Sequence, residues 1–278
     1  MSLIEIKNLS YKYENNEKFP YALENISLSI DKGDFIAIIG NTGSGKSTLI
    51  KHINALVKPT TGEVYFEGKN IYDKGYSLKE LRKHIGMVFQ YPDYQLFAET
   101  CIEDISYAAI NYGYEKKEAE EIALHLMKDL KIDYLKDRSP FTLSGGEKRK
   151  VAFAGSIVLN PDVIILDELE AGLDPSSRVM FFEILKNYNN EGKTIIFITH
   201  NLDDVTEYAN RVAIMKNGKL IAYDSVRDIF YNENILKEGN ISTPDIINEI
   251  KEYKNKYKNF DISKIRFNEF IEEIKKYG

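Results

Sequence analysis

Cysteine is nearly absent from this chain: Cys101 is the single one in 278 residues. That excludes an internal disulfide and a cysteine-ligated zinc site, and leaves Cys101 to be read as a small buried apolar side chain. Long apolar runs are also missing. The longest, such as Phe35–Ile39 and Val163–Leu166, are far too short to cross a bilayer, and Met1 to Tyr13 carries no apolar signal core. Basic charge is not in excess either, since 37 Lys and Arg stand against 43 Asp and Glu, a formal net charge of -6. Phosphate backbones need a basic face, so nucleic acid is not expected as the main partner. No internal repeat is visible. The expectation is a soluble, cytoplasmic chain whose role at a membrane must come through a partner.

What is present is an alternation of strand and helix patterns. Leu3–Leu9 and Glu24–Ile30 alternate apolar and polar residues, as half-exposed strands do. Phe35–Ile39 is continuously apolar, which suits a strand buried on both faces. A glycine-rich loop comes next, and then a helical pattern over Lys46–Leu56. Gly62–Phe66 and Ile85–Phe89 read as further strands. From about residue 94 to 159 the strand pattern disappears, and Glu115–Leu130 is an amphipathic helix with Ile122, Leu126 and Leu130 on one face. Strands return at Val163–Leu166 and Thr194–Thr199, with a helix starting at Asp174-Pro175 between them. An Asn217-Gly218 turn makes a hairpin of Arg211–Lys216 and Lys219–Tyr223. The fold class is α/β: a core over residues 1–234 interrupted by a mostly helical insert, then an appendage over 235–278. Helical patterns at Pro244–Tyr253 and Phe267–Lys276 mark that appendage, and its spaced isoleucines and aromatics are too many for a segment that stays in solvent.

Four motifs carry chemistry. Gly40-Asn41-Thr42-Gly43-Ser44-Gly45-Lys46-Ser47-Thr48 has P-loop spacing after a buried strand and before a helix. Its backbone N–H groups can cradle phosphate oxygens at a helix N-terminus, Lys46 supplies a point charge to the β- and γ-phosphates, and the Ser47 hydroxyl suits Mg²⁺. Asp167 ends an apolar strand, where its carboxylate can hold Mg²⁺ through a water, and Glu168 is placed to act as general base on an attacking water. Leu143-Ser144-Gly145-Gly146-Glu147 opens the helix Lys148–Leu159. Ser144 can cap that helix, and the two glycines allow an anion close to its N–H groups. Thr199-His200 is the fourth. The Ser144–Glu147 motif lies roughly a hundred residues beyond the P-loop, so two anion sites for one nucleotide imply a machine that closes around it as a dimer, while the P-loop alone does not tell ATP from GTP.

With these motifs in this order the chain resembles the ATP-binding cassette ATPases, from about Leu3 to Tyr231. The resemblance implies a P-loop NTPase core with an antiparallel β subdomain, and it assigns further residues. Tyr13 resembles the aromatic that stacks on adenine. Gln90 resembles the Q-loop glutamine at Mg²⁺ or the attacking water. Ala171-Gly172-Leu173-Asp174 resembles the loop that crosses the dimer, and His200 the switch histidine at the γ-phosphate. Each also has a plain structural role available: strand propensity for Tyr13, a strand end for Gln90, a helix start for Asp174 before Pro175. His52, His84 and His125 have no such context. Leu169-Glu170 departs from the proline and threonine or serine usual after the catalytic glutamate, which removes no catalytic group.

A narrower resemblance, to the energy-coupling factor ATPases of the EcfA/CbiO type, rests on Val88-Phe89-Gln90-Tyr91-Pro92-Asp93-Tyr94-Gln95-Leu96-Phe97, on Asn41-Thr42-Gly43, and on the short tail. It implies a second ATPase protomer, identical or paralogous, a transmembrane coupling subunit contacting Gln90–Phe97, a substrate-binding membrane subunit, and a peripheral place on the cytoplasmic face. The cargo would be a vitamin or a transition metal. The tail would then hold two ATPases together when their nucleotide sites open. An importer ATPase of another cassette group, or a soluble cassette protein of translation or repair, are the alternatives. Against the latter stand one cassette per chain and no sustained heptads between the P-loop and Ser144.

Overall fold

Residues 2–13, 21–169 and 173–277 are described by the computed structural model, the side chain of Asp93 excepted. In chain order the elements begin β1 (Ser2–Tyr11), β2 (Leu23–Asp31), β3 (Phe35–Ile39), α1 (Lys46–Ile53), β4 (Thr61–Phe66), β5 (Lys69–Asn70), α2 (Leu78–His84) and β6 (Ile85–Val88). Then come α3 (Cys101–Asn111), α4 (Lys116–Asp129), α5 (Gly145–Ile157), β7 (Val163–Asp167), α6 (Pro175–Asn190), β8 (Thr194–Ile198) and α7 (Leu202–Tyr208). The chain ends with β9 (Arg211–Lys216), β10 (Lys219–Ser225), α8 (Val226–Tyr231), α9 (Glu233–Gly239), α10 (Asp245–Lys256) and α11 (Phe267–Ile274). These form two compact units, Met1–Tyr76 with Ile195–Gly278, and Ser77–Thr194.

The first unit contains an antiparallel sheet in the order β2-β1-β4-β5 and a second set in which β3 pairs in parallel with β8 and β9, with β10 antiparallel on β9. All five residues of β3 are buried, as are Ile195–Ile198 of β8. Each such aliphatic side chain contributes about 1.5–3 kcal/mol, which is why these runs are apolar without alternation. Strand register places the loops at the strand ends. Ile38 pairs with Ile198 and Ile39 with Ile214, so the P-loop and the Thr199-His200 segment leave neighbouring parallel strands at the same end. A Cβ on Gly40 would stand 2.1 Å from the Met215 carbonyl oxygen, so only glycine permits the turn there.

In the second unit β6 and β7 pair in parallel, with Val88 opposite Leu166. A Cβ on Gly86 would stand 2.3 Å from the Ser156 carbonyl oxygen, so its absence lets α5 lie directly on β6. Helices α3, α4 and α5 pack together.

Three helical expectations are corrected. The first helix stops at Ile53, not Leu56: Ala55 takes a left-handed φ of 50°, and the Leu56 N–H turns back to the Lys51 carbonyl at 2.8 Å. On α4 the expected Leu126 is buried, as is Leu130 at its C-terminal cap, but Ile122 is only half-buried and the rest of the buried face is Ala119, Ala123 and Met127. The helix over Lys148–Leu159 begins three residues earlier and ends two earlier, at Gly145–Ile157.

The tail folds within the first unit. Leu236, Ile247, Ile250, Phe260 and Phe270 are buried, and the Glu207 carboxylate accepts the Phe267 N–H at 3.0 Å. Cys101 is buried, and burial pushes its thiol up to about 11, as an inert packing role requires. His52 is also fully buried, its Nδ1 2.8 Å from the Thr48 carbonyl, and burial lowers its pKa.

Candidate active site

The P-loop sits between β3 and α1. Gly43 and Gly45 take φ values of 78° and 104°, the left-handed turns that aim successive N–H groups into one concavity. Asn41, Thr42 and Gly43 are exposed, whereas Ser44, Lys46 and Thr48 are buried and Gly45 and Ser47 half-buried. The Lys46 ammonium donates to the Gly40 carbonyl at 2.7 Å and the Asn41 carbonyl at 3.2 Å, which offsets the cost of burying its charge. Among the described residues Ser44 Oγ is buried without a hydrogen-bond partner. Buried hydroxyls are seldom left so, and a phosphate oxygen is an acceptor of the kind such a hydroxyl can bond.

Tyr13 reaches this loop: its hydroxyl lies 3.1 Å from Thr48 Oγ1, and its ring stands edge-on to Tyr11 at 4.8 Å. The residue is 44% exposed. His200 is exposed just beyond β8. With Thr199 and Leu202 it lines one side of a cavity of about 190 Å³, whose other walls are Gly40, Asn41 and the Asn240–Ser242 segment of the tail.

The second unit holds the remaining groups. Because β6 and β7 are parallel neighbours, Gln90 and Glu168 leave adjacent strands together, and Gln90 Nε2 donates to Glu168 Oε2 at 2.7 Å. Glu168 itself takes a left-handed φ of 50°, an uncommon conformation that costs of order 1 kcal/mol or more and clusters at functional sites. Asp167 is 4% exposed at the end of β7. Carboxylate and amide oxygens, as at Asp167 and Gln90 of this unit, are hard donors of the kind Mg²⁺ takes.

Ser144 caps α5, its hydroxyl accepting the Glu147 N–H. Glu147 replies with its carboxylate on the Ser144 N–H at 2.9 Å and hydroxyl at 2.8 Å. These bonds, the backbone one first, hold the Glu147 carboxyl below its ordinary range. Arg138 lies 3.6 Å away and Tyr134 donates to the same carboxylate at 3.4 Å. Ser-x-x-Glu is the sequence signature of this reciprocal cap, so Glu147 has a second, structural reading that its place in an anion motif obscures. Gly145 and Gly146 leave the start of the helix open, the former exposed. Asp174 caps α6 through Ser176 and Ser177, whose hydroxyls hold its pKa low. Ala171 and Gly172 of the same loop, and Glu170, lie outside the described residues.

The aromatic surface after Gln90 is open to solvent: Tyr91 is 59% exposed, Tyr94 89% and Phe97 56%. Phe97 stands edge-on to Tyr107 at 4.6 Å, extending the patch by a residue that the motif did not include. Among the described residues no helix is long and apolar enough to cross a membrane.

Residues 23–171 match the family model described as ABC transporter. The energy-coupling factor transporter ATP-binding protein EcfA2 of Acetivibrio thermocellus is 41% identical over 280 residues, spanning 99% of this chain and 98% of its own. The protein of the same name from Clostridioides difficile is 43% identical over 270 residues, 95% of this chain and 92% of its own. Among solved structures, CbiO1 of Clostridium perfringens, part of the ABC transporter complex CbiONQ, superposes with a TM-score of 0.73 at 35% identity, over 86% of this chain and 94% of its own. The cassette MJ0796, a dimer in a post-hydrolysis state with ADP and Pi, gives 0.74 at 30% identity over 80% and 98%. The chain belongs to the ABC transporter family and, within it, to the ATP-binding proteins of energy-coupling factor transporters.

Proposed function

We propose that this protein is the ATP-hydrolysing subunit of an energy-coupling factor importer, driving micronutrient uptake from the cytoplasmic face of a membrane. The carrying observation is the pair of candidate anion cradles in one chain: the P-loop, whose Ser44 hydroxyl has no partner among the described residues, and the open glycine start of α5. One chain needs only one cradle to bind a nucleotide. Two are explained if Ser144–Gly146 serves the nucleotide held by a second protomer, identical or paralogous.

In this reading Tyr13 stacks on the base, the Asn41–Thr48 loop and Lys46 hold the phosphates, and His200 touches the terminal one. Gln90 orients the attacking water and Glu168 takes its proton. The water oxygen bonds to the terminal phosphorus while the bond to the bridging oxygen breaks, leaving ADP and phosphate. Ser47, Asp167 and Gln90 would hold Mg²⁺, which neutralises charge on the phosphates. Asp174 would lie at the contact between protomers. The tail would contribute a contact that persists when nucleotide leaves, measurable as association of the nucleotide-free protein by sedimentation.

The Tyr91, Tyr94, Phe97 and Tyr107 patch would seat a helix of the transmembrane coupling subunit, exposed aromatics being the usual anchors of such contacts. A paired Tyr94→Ala and Phe97→Ala variant should keep its ATPase activity as a free subunit. Its binding to the detergent-solubilised membrane partners, captured from native membranes, should weaken by roughly tenfold or more. Unaltered capture would remove this surface from the coupling interface. The reading as a whole is tested by identifying what co-purifies with the wild-type chain from its own membrane: integral membrane subunits support it, and their absence opposes it.

A further inference from the structure

The tail does more than cover its own unit. Its α9–α10 linker, Asn240–Ser242, lines an open pocket together with His200, Gly40 and Asn41. The linker is held firmly in that place. A Cβ on Gly239 would stand 2.7 Å from Ile214 Cγ2, so the end of α9 rests on β9 where Ile214 pairs with Ile39 ahead of the P-loop. Asn240 takes a left-handed φ of 57°, and the Ile241 N–H returns to the Leu236 carbonyl at 2.9 Å. Beyond the linker, α10 packs against α7, and the Glu207 carboxylate in the last turn of α7 accepts the Phe267 N–H. Since α7 begins at Leu202, the tail grips both the space beside His200 and the helix just after it.

We propose that Asn240 and Ser242 are positioning residues for hydrolysis, setting the orientation of His200 across this cavity. The proposal rests on the reading of His200 as the group that touches the terminal phosphate. A space of about 190 Å³ with polar walls has room for several waters, and water bridges hold a side chain nearly as well as direct hydrogen bonds. Asn240 and Ser242 are the residues with polar side chains that the tail contributes to that lining. Anything that moves the tail then moves the imidazole, so contact between protomers and turnover are linked through three residues.

Point changes test this better than truncation, because deleting the tail would strip α9 from Ile214, on which Gly239 rests. Asn240→Gly keeps the left-handed backbone at no steric cost, and Ser242→Ala removes one hydroxyl from an exposed position. In the full-length chain the double variant should lose roughly 3- to 30-fold in kcat. KM for ATP, nucleotide-free association by sedimentation and the thermal midpoint should stay at wild-type values. Ser242→Thr, which retains the hydroxyl, should restore turnover lost in Ser242→Ala. Added to His200→Ala, the double change should have no further effect, as two parts of one device are not additive. Wild-type kcat in the double variant, with His200→Ala inactive, overturns the positioning role alone. An additive loss in the His200→Ala background overturns it too. Undiminished turnover in His200→Ala itself would instead remove the reading of His200 on which the proposal stands.

Discussion

Glu168→Gln is expected to bind ATP normally and hydrolyse it more slowly by roughly 10²-fold or more. The substitution is clean in this structure for two reasons. The Gln90 amide donates to Glu168 Oε2 at 2.7 Å, and a glutamine at 168 still offers a carbonyl oxygen to that donor, so the pair that aligns the water persists. The left-handed backbone at φ 50° is also equally demanding of either residue, so the strain stored there does not change. Only the capacity to take a proton is lost. Phosphate release at saturating ATP measures the defect, and sedimentation in ATP should show the variant accumulating as a dimer that wild-type protein populates only transiently. Turnover within a few-fold of wild type would mean that another group is the base and that the Gln90–Glu168 contact is a structural one.

Much of the fold is legible in the chain because burial on two faces leaves continuous apolar runs. Phe35–Ile39, Val163–Leu166 and the Asn217-Gly218 hairpin fall where the pattern puts them, within two residues. What periodicity does not carry is which strands become neighbours. The pairing of Val88 with Leu166 is what brings Gln90 to Glu168, and it depends on sheet order, not on any local signal. The same holds for Ile38 and Ile198, which bring His200 to the P-loop. Small residues hide other features. Ala119 and Ala123 make the packed face of α4, yet alanine is too neutral to mark a stripe, so the larger Ile122 draws the expected face to one side. Helix α3 does carry a local start signal, the Thr100–Glu103 capping box. For the tail, the isoleucine spacing marks α10 and α11 but is silent on what they cover, since an apolar stripe names no partner. That Asn240–Ser242 stands beside the P-loop has no trace in local sequence at all: it comes from Gly239 seating α9 on β9.

Ser144→Arg should separate the two anion cradles. The P-loop of the same chain is untouched, so ATP affinity of the monomeric protein should stay within about twofold, measured by equilibrium binding under conditions that prevent hydrolysis. ATP-driven dimerisation and hydrolysis should both be abolished, because a long side chain would fill the open glycine start of α5. Loss of the cap is a separate effect that must be subtracted. Ser144 accepts the Glu147 N–H and donates to the Glu147 carboxylate at 2.8 Å, and removing such a cap costs about 0.5–2 kcal/mol. Helix α5 survives that, with Val151, Ala152, Phe153, Ala154 and Ile157 buried. Ser144→Ala carries the same loss of cap without the bulk, so it should fold with a similarly reduced thermal midpoint while keeping measurable dimerisation in ATP. The difference between the two variants then reports the anion site itself. Collapse of nucleotide binding in monomeric Ser144→Arg, with Ser144→Ala unaffected, would show that the α5 start serves the nucleotide of its own chain, and the two-protomer arrangement would have to be abandoned.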